Sequence, residues 1–295
     1  MAATKNTQPG GGSALGAWVG LAVRVVRGPV GATLVLAGVL VGGWYVVWHF
    51  FGEGLLRSDR YVLRQENLEV TPLPEWIHTD VRGEVFRSVA FEGPLVIMDD
   101  HLTKRIADGF ALHPWVAKVR RVTKLHPARV KVDLDYRRPV CMVEVPGGLL
   151  PVDTESAWLR SEDFSPVEAA QYPRISGLES MPVGSVGTKW GDGRVVGGAE
   201  IAALLLGVWN ELQLARIVPS ARPQSGPHYS FDLYTRGGTR IIWGLAPSAG
   251  ITGDVPAAER IERLRKFQAA HGTLDGPHQL DLRSMRGLEI LPAVR

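Results

Sequence analysis

Hydrophobic and polar positions along this chain change period several times, and the periods predict its elements. Residues 28–52, GPVGATLVLAGVLVGGWYVVWHFFG, contain no Asp, Glu, Lys or Arg. As one helix these 25 residues would run about 37 Å, enough for a bilayer core about 30 Å thick. Trp44, Tyr45, Trp48, Phe50 and Phe51 gather at its far end, as an interfacial aromatic belt does. A buried core helix and a cleavable signal peptide are the competing readings. The run is long for a signal peptide and ends in bulky aromatics rather than a small-residue cleavage site, so an uncleaved anchor that crosses once is the expectation.

Beyond it, Ile77, Val81, Val85 and Val89 recur every fourth residue over 74–90, one face of a helix. Leu102, Ile106 and Phe110 do the same over 100–112, behind Asp99 and Asp100 as capping residues, and His113-Pro114 ends that helix. Ala117 and Val119 then alternate with Lys118 and Arg120. After a turn at 124–128 containing Pro127, Val130, Val132, Leu134 and Tyr136 alternate with Lys131, Asp133, Asp135 and Arg137, the clearest strand in the chain. Residues 66–138 therefore read β-α-α-β-β.

Pro139 marks a join to a strand-rich part. There, 149–153 and 157–160 are expected to form a hairpin around Thr154-Glu155-Ser156, and 161–197 is mostly loop. A helical stripe runs from Ile201 to Leu212. Tyr229, Phe231 and Leu233 lead through Gly237-Gly238 into 239–243, a hairpin signal. A helix over 257–269 buries Ile261, Leu264 and Phe267. Leu280–Arg283 and Leu288–Leu291 read as two short strands joined by Met285-Arg286-Gly287.

Composition narrows the class. Hydrophobic residues make up 45% and charged residues 21%, which excludes a disordered chain. A lone cysteine, Cys141, excludes an intrachain disulfide framework. The net charge of +3 is carried by Lys5, Arg24 and Arg27 in the first 27 residues, so the remainder is balanced and nucleic acid is not an expected partner. Locally, 115–138 carries Lys118, Arg120, Arg121, Lys124, Arg129, Lys131, Arg137 and Arg138 against Asp133 and Asp135. Lys118, Arg120 and Lys131 are its candidate contact residues for anionic lipid or an acidic partner. The bland alternative is the polar face of two exposed strands.

Motifs for catalysis are absent from the sequence pattern. Gly184–Lys189 (GSVGTK) lacks the spacing of a phosphate loop. Gly191, Gly193 and Gly197 precede a helix without the strand a dinucleotide site needs, and read as turn glycines. His271, Asp275, His278 and Asp281 match no metal-ligand spacing; they and Asp99-Asp100-His101 read as surface and capping residues. Asp133 and Asp135 share a strand face without a cleft. The expectation is a protein that is not an enzyme, with no cofactor, no metal and no small-molecule substrate.

The stretch from Pro94 to Val140 includes His113-Pro114-Trp115-Val116, Pro127 and Arg138-Pro139. Val152-Asp153 with Ala157-Trp158-Leu159, then Tyr172-Pro173-Arg174-Ile175-Ser176-Gly177, and finally Leu280-Asp281-Leu282-Arg283 follow in order. This succession resembles the FtsQ/DivIB family of bacterial division proteins. There are departures: Tyr136 and Arg137 stand where a glutamate is usual before the exit Arg-Pro, and Ser284 where a tyrosine is common. The resemblance implies an α+β chain made of a cytoplasmic tail (1–27), a transmembrane helix (28–52), a connector (53–65), a βααββ POTRA domain (66–138) and a mixed, mostly antiparallel β domain with two helices (139–295).

It also implies a non-enzymatic scaffold in the cell inner membrane, N-terminus cytoplasmic, folded part periplasmic, with FtsB- and FtsL-like divisome proteins as partners and the bilayer met through the helix. The partner would dock near the last strands, for which Asp281, Leu282, Arg283, Leu288, Glu289, Ile290 and Leu291 are the candidates, either by β-augmentation or, in the alternative, with those strands already paired internally. Two other classes stand beside it. An outer-membrane assembly or secretion protein with POTRA domains would normally end in a barrel of many alternating strands; an anchored envelope enzyme would need a deep pocket of titratable groups.

Overall fold

A strict alternation of buried and exposed side chains organises the strand Arg129–Tyr136, and the rest of its sheet follows from it. The computed structural model describes residues 29–49, 61–251 and 253–292. The chain divides into two units, Met1–Val62 with Val96–Met98, and Leu63–Leu95 with Asp99–Arg295.

In the first unit, α1 spans Pro29–Val47. Trp44 stacks on Trp48 and Tyr45 on His49, each pair four residues apart on one helix face. Here the expectation of a membrane-crossing helix over 28–52 is corrected. Among the described residues no helix is long and apolar enough to cross a membrane. The α-helix has 19 residues, about 28 Å against the 37 Å of the whole uncharged run. The tail 1–27, residues 50–52 and the connector up to residue 60 lie outside the described residues.

The second unit is α+β with mixed sheets. Its first sheet holds β1 (Leu68–Val70), β2 (Val116–Leu125) and β3 (Arg129–Tyr136) in the order β1-β3-β2. β1 pairs parallel and β2 antiparallel with β3. Helices α2 (Val81–Phe91) and α3 (Leu102–Ala111) lie between β1 and β2 in sequence. Val81, Val85, Val89, Leu102, Ile106 and Phe110 from the helices are buried, as are Val130, Val132 and Leu134 of β3. Ile77 shares the predicted stripe but precedes the helix: Asp80 accepts a hydrogen bond from the Gly83 N–H and so sets the start at Val81. In α3 the N-cap is His101, and Asp99 accepts from the His101 N–H instead of capping.

The second sheet has eight strands in the order β11-β10-β9-β8-β7-β6-β4-β5. These are β4 (Pro139–Val145), β5 (Gly148–Asp153), β6 (Arg174–Ile175), β7 (Leu214–Pro219), β8 (Ser230–Thr235), β9 (Arg240–Leu245), β10 (His278–Asp281) and β11 (Glu289–Pro292). The expected hairpin of 149–153 with 157–160 is reduced to a short antiparallel contact, the bridge Val152–Trp158 flanked by Asp153 N–H to the Ala157 carbonyl and Leu159 N–H to the Pro151 carbonyl; on its other side β5 pairs with β4, turning at Pro146-Gly147, where Gly147 has φ 101. A short helix, α4 (Pro166–Ala169), interrupts the predicted loop. α5 (Gly193–Leu205) begins eight residues before the predicted stripe and ends before it, and α6 spans Ala257–His271.

Gly193 and Gly197 are therefore helical rather than turn residues. Their neighbourhood explains it: a Cβ on Gly197 would sit 2.6 Å from the Phe231 ring, and one on Gly198 2.6 Å from Ile175 Cδ1. Glycine lets the α5 backbone lie against the sheet. Gly197→Val is expected to destabilise by about 1–3 kcal/mol through overpacking; an unchanged urea midpoint would contradict this close approach.

The two sheets are joined by polar contacts. The Trp115 indole N–H and the Thr79 hydroxyl both donate to the Asp163 carboxylate, the first at 2.6 Å. Glu84 of α2 accepts from Arg160 at 3.0–3.2 Å and lies 3.3 Å from His113 Nε2. Because the Trp115 backbone N–H faces His113 Nδ1 at 3.3 Å, Nδ1 is the acceptor and Nε2 the donor to Glu84. Burial pushes His113 below its ordinary 6.5, against the pull of Glu84. The hydrogen bond and charge of Arg160 hold Glu84 below its ordinary 4.5, against burial.

Both shifts are downward, so the unfolded chain binds more protons on acidification. The stability each group contributes is complete above its unfolded value and is lost as pH falls towards its folded one, from 6.5 downward for His113 and from 4.5 downward for Glu84. The urea midpoint should fall between about pH 7.5 and about pH 5.5 in the wild type and fall less in His113→Gln. Equal slopes in the two proteins would refute the assignment to His113.

Candidate partner-binding edge

The C-terminal strands are positioned by the core beneath them. Leu280 and Leu282 are fully buried and belong to the large apolar cluster of the second sheet, against which Leu288 packs. The Leu282 N–H donates to the Ile242 carbonyl at 3.1 Å. Arg263 of α6 donates from Nη1 to the carbonyls of Ser284 at 2.7 Å and Leu282 at 3.4 Å, and Gly287, with φ 135, completes the reversal. The chain then returns as β11, antiparallel to β10, with Leu280 opposite Ile290 and Asp281 opposite Glu289.

Among the described residues β11 pairs on one side only and ends the sheet. The other end is different: along β5, the Asp153 N–H donates to the Ala157 carbonyl and the Leu159 N–H to the Pro151 carbonyl, so the segment 157–159 covers that edge. Ile290 stands on the same face as the buried Leu280, since directly paired residues share a face, yet it is 57% exposed. Among the described residues the core face thus ends at an exposed apolar side chain on the last strand. Such an edge can accept another strand through main-chain hydrogen bonds.

On the opposite face lies a charge ladder. Arg283 forks onto Asp281 with contacts of 2.6–3.2 Å, and Arg240 meets Asp232 at 2.7 Å. Burial would raise the Asp281 carboxyl, but the side-chain and backbone hydrogen bonds from Arg283, with the charges of Arg283 and Arg240, hold it below the usual carboxylate value. Its charge is therefore already satisfied within the chain.

Of the candidate residues, Leu282 and Asp281 are buried, Leu288 and Leu291 are half-buried, and Arg283, Glu289 and Ile290 are exposed. The structure brings all seven together on one hairpin. Pro292 extends the strand by one residue beyond the sequence expectation.

The candidate basic face is interleaved with acids. Arg120 bonds Asp135 at 2.6 Å, Lys131 meets Asp133 at 3.7 Å, and Lys118 lies opposite Asp135 in the ladder. Arg129 faces Glu69 at 3.5 Å, Lys124 donates to the Asp99 carbonyl, and Arg137 turns inward to Asp153. Outside the segment, Arg129 and Arg137 find acids in Glu69 and Asp153, so two charges of the six-charge excess read from 115–138 are matched there. Elsewhere, His271 stacks on Phe267 at 4.1 Å, and among the described residues no group of three or more His, Cys, Asp or Glu is placed to hold a metal ion.

Residues the sequence reading missed are those joining the sheets: Asp163, Arg160, Glu84 and the Arg137–Asp153 pair. Their partners lie 16 to 84 positions away, a separation with no local signature. No family model matches the chain, and no curated protein sequence matches it.

Proposed function

We propose that this protein is a non-enzymatic scaffold of the bacterial division machinery, of the FtsQ/DivIB type, working at the extracytoplasmic face of the cell inner membrane and capturing segments of FtsB- and FtsL-like partners. The observation that carries the reading is that, among the described residues, β11 ends the eight-stranded sheet with apolar Ile290 exposed on it. The order of elements over 68–136, with strand, two helices and two strands, supports it, as does the succession of short motifs from His113-Pro114-Trp115-Val116 to Leu280-Asp281-Leu282-Arg283.

Proline has no N–H and is poorly tolerated once a strand has neighbours on both sides. Ile290→Pro should therefore abolish co-purification of the partner, and the exposed, four-residue strand lets the fold survive the change. Retention of the partner by Ile290→Pro, with an unaltered thermal melt, would overturn the docking mode.

A further inference from the structure

A cleft of about 260 Å3 opens between the two sheets, away from the β8–β11 end. For scale, an apolar cavity of about 150 Å3 holds benzene. Two distant stretches build it: residues 75–78, ahead of α2, and residues 164–172, around α4. Three aromatic rings line it, from Trp76, Phe164 and Tyr172, and its two carboxylates are Glu75 and Glu168.

The walls are fixed before anything binds. The Trp76 indole N–H donates to the Arg137 carbonyl at 3.0 Å. Phe164 stands between Trp115, tilted at 6.1 Å, and Tyr172, edge-on at 5.8 Å. Glu168 closes a capping box with Ser165, whose hydrogen bonds hold its carboxyl below the usual range and keep it anionic at neutral pH. His78 also lines the cleft, with Nδ1 2.9 Å from the Asp163 carbonyl. A carbonyl can only accept, so Nδ1 donates to it.

The carboxylates lining the cleft favour a cation, and the rings offer it negative π faces. One cation already uses this surface: the Arg138 guanidinium stands 5.9 Å over the Trp76 ring. A single guanidinium against two carboxylates leaves an excess of negative charge. A planar guanidinium suits such a place better than an ammonium, because it stacks on rings and forks onto carboxylates at once.

We propose that this cleft receives an arginine side chain of a partner protein, its stem against Phe164 and Tyr172 and its head between Glu75 and Glu168. None of its lining residues belongs to the β10–β11 hairpin, so it is a second contact, independent of strand addition at that edge.

The test is a titration of the whole chain, with 15N-labelled tryptophan indoles, by N-acetyl-arginine methylamide; the Trp76 resonance is assigned by its absence in Trp76→Phe. A saturable shift of that resonance is expected, with none from the norleucine analogue. Glu75→Gln/Glu168→Gln should weaken binding about five-fold, since glutamine preserves the capping box. No shift with the arginine probe, an equal shift with norleucine, or full affinity in the double variant would each overturn the proposal.

Discussion

Trp115→Ala is expected to lower the stability of the second unit by about 3–5 kcal/mol, the cost of emptying a large buried aromatic site. Trp115 is fully buried, and its indole N–H donates to Asp163 at 2.6 Å across the boundary between the two sheets. Two losses combine in the variant: the cavity, and a hydrogen bond to a charged acceptor. Trp115→Phe separates them. It keeps most of the apolar volume and removes the N–H, leaving Asp163 with the Thr79 hydroxyl, and should cost about 1.5–3 kcal/mol. Urea unfolding measures both. Wild-type stability in Trp115→Ala would mean that the sheets are not held together at this point.

The second large effect is expected at Arg137. Its Nη1 lies 2.6 Å from Asp153 Oδ2, and Asp153 is 3% exposed. The same carboxylate accepts the backbone N–H groups of Glu155 and Ala157, so it shapes the turn after β5. Arg137→Met keeps much of the stem but leaves a buried carboxylate without its counter-charge, a change that costs about 3–5 kcal/mol. Asp153→Asn in the same chain removes the stranded charge and should restore part of the loss. Strictly additive costs in the double variant would contradict a direct coupling of the pair.

Which elements the sequence revealed depends on how each is buried. β3 was legible because one face is buried and the other open, so its pattern alternates at every residue. β4 hides its identity: six of its seven residues are buried, so no alternation marks it, and its pairing with β5 went unpredicted. β7 carries a register irregularity between Leu214 and Arg216 and ends in proline, which masks its period. α1 shows the opposite error. An uncharged run predicts where a helix lies better than where it stops: the helix covers 19 of the 25 uncharged residues, and among the described residues no helix is long and apolar enough to cross a membrane.

The two proposed binding surfaces differ in the same way. The β11 edge lies within one continuous stretch of sequence, and its strand signals and short motifs pointed to it. The aromatic cleft could not be anticipated, because Trp76 and Tyr172 meet only once both sheets have formed. Its acidic residues looked like ordinary surface charges until the rings beside them were placed.

The proposed division role rests on β11 serving as a docking strand. Its most direct test is complementation in source cells depleted of the protein, with a fluorescent fusion reporting position. The account predicts filamentous cells on depletion, and recovery of division by the wild-type fusion gathered at the division site. It predicts no recovery by the Ile290→Pro fusion at equal abundance. Normal division in depleted cells, or full rescue by Ile290→Pro, would contradict it.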